Sequence, residues 1–418
     1  MSTTQVHDII VIGAGIIGIS TALKLQSEGH QVLVIDRKGV AKETSCGNAG
    51  AFAFADIVPL ATPGIMRKAP KWLLDPLGPL SIPPRYAFKI LPWMLKFWRS
   101  SWADKYQAAI TAQASLMELS KAALERQIKA VNGEALIRRE GQLQLYEGEQ
   151  EFEASLPNWQ VRKDHGVVFE LLESPAAIAA IQPGIHPRFT HAGFTPEWIN
   201  TCDPAEWTEH LAAQFLKAGG RITTASIEQL ALIDQGVELH HGSGLFSAKQ
   251  VVIAAGAWSH FLAKQIGDQI PLETERGYNT TLPANAFDIK THITFSNHGF
   301  VVSRIGEGIR VGGAVELGGL DLKPNYKRAE VLLNKAAKFL PGLKKENGKQ
   351  WMGFRPSMPD SLPVISRSPK SDRVIYAFGH GHLGLTQAAG TAELVVALAK
   401  KEPTPLNMQP FSAARFNR

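Results

Sequence analysis

Three glycines carry the first chemistry of this chain. In "DIIVIGAGIIG", Gly13, Gly15 and Gly18 follow an apolar run and precede a helix-like stretch, and Asp36 comes 18 residues after the last of them. This G-x-G-x-x-G spacing suits a dinucleotide. The first glycine permits a tight turn, the second lets the backbone approach a pyrophosphate, and the third packs the helix closely on the strand. The unpaired N–H groups at the helix start, with Ile16 and Ile17, face the phosphates. Asp36 ends a second strand within reach of a ribose hydroxyl, with Arg37 beside it.

Two more segments favour FAD over NAD. "RKGVAKETSCGNAGAF" is a small-residue loop suited to wrap a flavin dinucleotide, with Thr44, Ser45, Cys46, Asn48, Ala49 and Gly50 as its contacts. "VVIAAGAWS" is a strand ending in small residues, where Ala255, Gly256 and Trp258 give a second backbone approach. Gly47 puts no side chain beside Cys46 for covalent attachment, and the expectation is FAD held non-covalently.

The elements that must position these groups follow from periodicity. Residues 8–12 and 31–36 read as strands flanking a helix over 16–28, a βαβ unit. Helices are expected at about 103–131, 203–218, 326–340 and 384–400, the second opened by Asp203-Pro204 as cap and first residue. "IRREGQLQLY" reads as a strand pair or hairpin, and "RITTASIEQLAL" as strand. Residues 270–317 alternate apolar and polar in the manner of an antiparallel sheet. The predicted class is mixed α/β: a Rossmann-like FAD domain (1–56, 150–265 and 345–418) interleaved with a substrate domain (57–149 and 266–344).

The 418 residues are 44% hydrophobic and 20% charged, an ordinary globular composition long enough for two cores. Two cysteines, Cys46 and Cys202, exclude a disulfide framework or a zinc pattern, and no metal is expected. No run reaches the ~18 apolar residues of a membrane span. The first apolar run lacks a basic lead and enters the glycine turn directly, so it reads as a strand and the protein as cytoplasmic. The net charge of +6 favours an anionic partner such as a membrane face or an acidic metabolite; no nucleic acid is expected.

Taken in order, "VIGAGIIGISTALKLQSEGHQVLVIDR", "ETSCGNAG", "GQLQLY", "VVIAAGAWS", "IRVGGAVE", "GFRPSMPDSLPVI" and "GHGHLGLTQAAGTAELV" resemble the D-amino acid oxidase and glycine oxidase superfamily. Among its members the bacterial D-amino acid dehydrogenases are the most similar. The resemblance spans nearly the whole chain. It implies that Arg355, in "GFRP", clamps the substrate carboxylate through its bidentate fork. Tyr278 is implied as a pocket residue, and Arg304 as structural or at most a second contact. "FGHGHLGLTQ" is similar to the family's C-terminal flavin loop, with Gly381, His382, Leu383, Gly384, Leu385 and Thr386 at the cofactor and His382 also facing substrate.

The implied reaction is oxidation of a D-amino acid, a proline-like ring among the candidates, by hydride transfer from Cα to the flavin. The product is an imine, then a 2-oxo acid. No Ser-His-Asp set or carboxylate pair is apparent, and none is required where a cofactor carries the chemistry. Electrons are expected to pass to a quinone or respiratory acceptor. Trp93, Phe97, Trp98 and Trp102 alternate with Lys89, Lys96, Arg99 and Lys105, which fits either a peripheral contact with the inner face of the cytoplasmic membrane or a buried helix with snorkelling lysines. The alternatives are an oxygen-using oxidase or demethylase of glycine, sarcosine or another secondary amine, and an FAD-binding subunit without catalysis of its own.

Overall fold

The structure, a computed structural model, describes residues 6–65, 80–242 and 244–416. Residues 66–79 of the Pro- and Trp-rich stretch lie outside the described residues. The expected βαβ unit is present as β1 (Val6–Ile12), α1 (Ile16–Ser27) and β2 (Val32–Asp36). β1 pairs in parallel with β2 on one side and with Gly244–Ile253 on the other. Arg221–Thr224 adds beside β2, and Ser371–Phe378 beside Gly244–Ile253, both in parallel. All five carboxyl ends therefore open along one edge, where ligands of open parallel sheets bind.

Helices close this sheet from one side. α1 buries Ile16, Ile19, Ala22 and Leu25 in a core shared with Val11, Val34 and Val252. Further along the chain come α2 (Ala87–Ser100), α3 (Ala103–Ala130) and α4 (Gly384–Lys400). α4 is buried along most of its length, which suits its nearly continuous apolar and small-residue sequence. Asp203 caps Pro204–Lys217 as expected, accepting from the N–H groups of Ala205 and Glu206.

A second, nine-stranded sheet holds β3 (Glu273–Leu282), β4 (Gly308–Leu317) and β5 (Lys349–Ser357), with β3 between the other two and antiparallel to both. Beyond β4 the order runs through Phe300–Ile305, His292–Phe295, Gln142–Tyr146, His191–Thr195 and Glu170–Leu172. The antiparallel character expected of 270–317 holds for all its strands; His292–Phe295 meets Gln142–Tyr146 in parallel.

Sheet membership departs from the expected boundaries. Glu170–Leu172, His191–Thr195 and β5 belong to the second sheet, although 150–265 and 345–418 were assigned to the nucleotide domain. α3, assigned to the substrate domain, puts Ala109, Leu116 and Leu124 into the first core. The expected hairpin at 137–146 does not form. Ile137–Arg138 pairs with Ile199–Thr201, and Gln142–Tyr146 pairs in the large sheet, because Gly141, at φ 73°, turns the chain from one sheet to the other.

Candidate active site

The five parallel strand ends surround a cavity of about 290 Å3. Its wall includes Ile12 and Gly13 after β1, Asp36 and Arg37 after β2, Ala225 after Arg221–Thr224, Ala254 and Ala255 after Gly244–Ile253, and Ala377 and Phe378. Gly13 must be glycine. Its φ is +115°, and a Cβ there would lie 2.3 Å from the Ala254 carbonyl oxygen. A Cβ on Gly18 would lie 1.9 Å from the Gly13 oxygen, which accounts for the close packing of α1 on the turn.

These residues fit FAD. The amino ends of both α1 and α4 open on the cavity, through Gly15, Ile16 and Ile17 and through Gly384 and Leu385. Neither helix has an acidic residue in its first turn or a capping side chain at its own N-cap, although Ser45 Oγ accepts from the Ile16 N–H at 3.0 Å. Two helix starts free of negative charge and facing one cavity make it electropositive and suited to the phosphates. Asp36 accepts from the Ala14 N–H at 2.8 Å and from Lys38 and Gly39, so it also braces the glycine turn. Arg37 stacks 3.6 Å above the Trp258 ring and bonds Glu43, walling the same space.

Fifteen of the expected cofactor residues line this cavity: Gly13, Gly15, Ile16, Ile17, Asp36, Arg37, Thr44, Ser45, Asn48, Ala255, Gly256, Trp258, Gly381, Gly384 and Leu385. Gly18, Cys46, Ala49, Gly50, Leu383 and Thr386 do not. Several of these build the scaffold instead. Thr386 Oγ1 accepts from the Ala53 N–H, and the Gly50 oxygen accepts from the Thr201 N–H. Cys46 donates its thiol to the Glu43 oxygen, and burial raises its pKa, which keeps the sulfur protonated. Ser226, Ile227 and Glu228 line the cavity and were missed because "RITTASIEQLAL" was read as one strand; the strand ends at Thr224, opposite Asp36.

The second sheet meets the cavity through β5. Pro356 lines the cavity and accepts from the Gly381 N–H at 2.8 Å, while Ser357 forms a β-bridge with His380. Arg355 and His382 are the chain neighbours of Pro356 and Gly381 and do not themselves line the cavity. Arg355 lies over β3, with its guanidinium where a Gly277 Cβ would be, 2.2 Å from its Cζ. Its Nη1 donates to the Ala314 oxygen at 3.0 Å. Burial lowers its pKa, and Glu275, its register partner on β3, opposes that. Asp360, the acidic residue nearest after Arg355 in the sequence, is bound by Arg415.

His382 does not line the cofactor cavity; its Nε2 lies 2.6 Å from Glu275 Oε2. Burial works to raise the Glu275 carboxyl, but His382, Arg355 and Ser357 outweigh it and hold the pKa below the usual value. Glu275 was missed, although the sequence held a signal. A glycine inside a strand marks a close approach, and Gly277 shares its face with Glu275. Tyr278 requires a correction. It points to the opposite face of β3, donates to Glu316 Oε2 at 2.5 Å and accepts from the Asn325 N–H. It is not beside Arg355. Arg304 is 40% exposed and faces Glu140 at 3.7 Å, a surface contact.

His380 lines the cavity but is buried and bonded to Thr391 Oγ1; burial takes its pKa down to about 3, so it stays neutral.

Comparison with known proteins agrees with this geometry. The family model described as FAD dependent oxidoreductase (DAO) matches residues 8–398. A D-amino-acid oxidase of Bradyrhizobium diazoefficiens is 35% identical, covering 98% of each chain. A D-amino acid dehydrogenase of Neisseria meningitidis serogroup C is 31% identical over 98% of this chain and 99% of its own. Among solved structures, glycine oxidase from Geobacillus kaustophilus superposes with a TM-score of 0.79 at 19% identity, covering 99% of both chains. L-proline dehydrogenase from P. horikoshii gives 0.77 at 20% identity and the same coverage. With its FAD-suited cavity and a family match over nearly its full length, the chain belongs to the DAO family of FAD dependent oxidoreductases.

Proposed function

We propose that the chain oxidises a D-amino acid at its Cα–N bond, releasing an imine that water converts to a 2-oxo acid and ammonia. One observation carries the reading: Arg355, half-buried on β5 next to Pro356 of the cofactor cavity, has no ion-pair partner within 4 Å among the described residues. A half-buried cation without a hydrogen-bonded anion suits a ligand, and a substrate carboxylate supplies matching fork geometry. When bound, FAD would supply the hydride acceptor. Arg355 would orient Cα toward it, β3 and β5 would hold the clamp, and the amino end of α4, which lines the cavity, would favour negative charge on the cofactor.

The acceptor we favour is a quinone or another respiratory carrier at a membrane surface. On α2, Ile90 and Trp93 turn inward, and the Trp93 and Phe97 rings stack at 5.3 Å. Phe88, Leu91, Leu95 and Trp98 turn outward at helical spacing, and Trp102 follows just past the helix end; they are 90%, 52%, 54%, 46% and 49% exposed. Arg85, Lys89, Lys96, Arg99 and Lys105 flank them, although Arg99 is already paired with Asp104. An apolar stripe edged by cations suits the headgroup layer of an anionic bilayer. Among the described residues, no helix is long and apolar enough to cross a membrane.

The second reading is an oxygen-using oxidase of glycine or a secondary amine, favoured by the oxidase names among relatives and neighbours. Anaerobic flavin bleaching against D- and L-amino acids, proline, glycine and sarcosine tests the substrate. Bleaching by D-amino acids alone is expected, and bleaching only by glycine or sarcosine overturns the reading. Any bleaching of the purified chain eliminates a subunit without catalysis. Stoichiometric peroxide in aerobic turnover would favour the oxidase. Leu91→Asp with Leu95→Asp should abolish cosedimentation with anionic vesicles and leave flavin content unchanged.

A further inference from the structure

An amino acid reaches a pocket mostly as its ammonium form, whose nitrogen has no lone pair to expel hydride from Cα. A base beside the bound substrate lets this abundant form react, where otherwise only the scarce free amine could. Tyr278 faces away, and His380 is buried against Thr391. His382 remains. We propose that His382, oriented by Glu275, is the base that deprotonates the bound substrate ammonium; the proposal rests on the amino acid reading above.

The geometry is that of a carboxylate-steered imidazole. An ionised carboxylate only accepts, so the 2.6 Å contact places the hydrogen on His382 Nε2 and the lone pair on Nδ1. Among the described residues no hydrogen bond reaches Nδ1. The His382 side chain is 38% open, whereas Glu275 is 5% open. The imidazole is thus partly open, and its partner is fixed in the sheet wall. The charged groups around the ring come from three directions: Glu275 on β3, Arg355 on β5, and Asp56 after the Ala51–Phe52 strand. Asp56 lies 3.5 Å from Arg162 of Gly148–Asp164. An ionised Glu275 stabilises the imidazolium when it forms.

The step balances. One ammonium N–H bond breaks, its electron pair stays on the amine nitrogen, and the proton moves to Nδ1. That lone pair then forms C=N as hydride leaves Cα with two electrons for FAD. The substrate is oxidised by two electrons, and His382 returns its proton to solvent. His382 is a catalytic residue, and Glu275 is a positioning residue. A purely structural tether between α4's loop and β3 would use the same contact, so the test must separate the two.

His382→Gln can still donate to Glu275 but cannot take the proton. Anaerobic flavin reduction by a D-amino acid is followed in the holoenzyme from about pH 5 to pH 10. The wild type should show an acid limb. In His382→Gln that limb should give way to the ionisation of the free amine, with reduction about 100-fold slower at neutral pH. Glu275→Gln should move the wild-type limb to lower pH, because the imidazolium loses its counter-charge. If Glu275→Gln does not fold, His382→Gln decides alone, with retained flavin and Tm as its control. An unchanged limb and rate in His382→Gln would overturn the base. If no amino acid bleaches the wild type, the substrate reading falls and takes the base with it.

Discussion

On one face of β3, Arg276 and Tyr278 turn toward Glu316; on the other, Glu275 and Gly277 turn toward His382 and Arg355. Both faces bury a carboxylate among cations, yet they are finished differently. The first is closed. Arg276 is fully buried, Arg328 lies beside Glu316, and Arg276 also donates to the Leu322 oxygen. The second stays open, with an imidazole partly in free space and a guanidinium bonded only to the Ala314 carbonyl among the described residues. Charges that complete each other hold the sheet to the Lys327–Phe339 helix. Charges that do not are arranged for a ligand.

The largest effect should come from the closed face. Arg276→Ala breaks a buried ion pair and leaves Glu316 with Arg328 and Tyr278, and should cost about 3–5 kcal/mol of stability in urea unfolding. Arg355→Ala should behave in the opposite sense. Flavin and Tm should be retained, while KM rises by the loss of a charge-assisted fork, on the order of 2–4 kcal/mol. If Arg355→Ala unfolds the protein and Arg276→Ala changes only KM, the two faces have been assigned the wrong way round.

The same comparison shows what a sequence discloses. The glycine turn was legible because its function is local: strand, turn, helix and Asp36 lie within one βαβ unit. α4 was legible to the residue, because its long buried run permits no other element. Arg355 came from a resemblance, and its place beside the cavity follows from Pro356 and Gly381, which meet only in the folded chain. Tyr278, implied by the resemblance as a pocket residue, lies on the face of β3 away from Arg355, because a period of two says which residues share a face and not which face turns to a ligand. The pairing Glu275↔Arg355 decides that, and it joins residues eighty apart. Glu170–Leu172 and β5 join the second sheet through pairings that domain boundaries drawn along the sequence did not foresee.

Tyr278→Phe separates the faces more finely. The phenol serves Glu316 and the Asn325 N–H, so its loss should cost about 1–2 kcal/mol of stability. Flavin reduction should stay within about twofold of wild type, since its effect belongs to the closed face. A tenfold slower reduction at unchanged Tm would return the tyrosine to the pocket.

Acidification should give the smallest difference. Burial opposes the Glu275 charge, His382 and Arg355 outweigh it, and the folded pKa lies below the ordinary value of 4.5. Below that value the unfolded chain binds a proton that the folded chain still excludes. Stability from this carboxylate is therefore complete above the ordinary value and is lost as pH falls toward the folded one. Glu275→Gln has no such proton to bind. Its stability should run parallel to wild type above neutrality, and the wild type should fall more steeply below about pH 4.5. A variant that falls faster than wild type below about pH 4.5 would mean that Glu275 is not held ionised by its neighbours, and the open face would lose the fixed charge that steers His382.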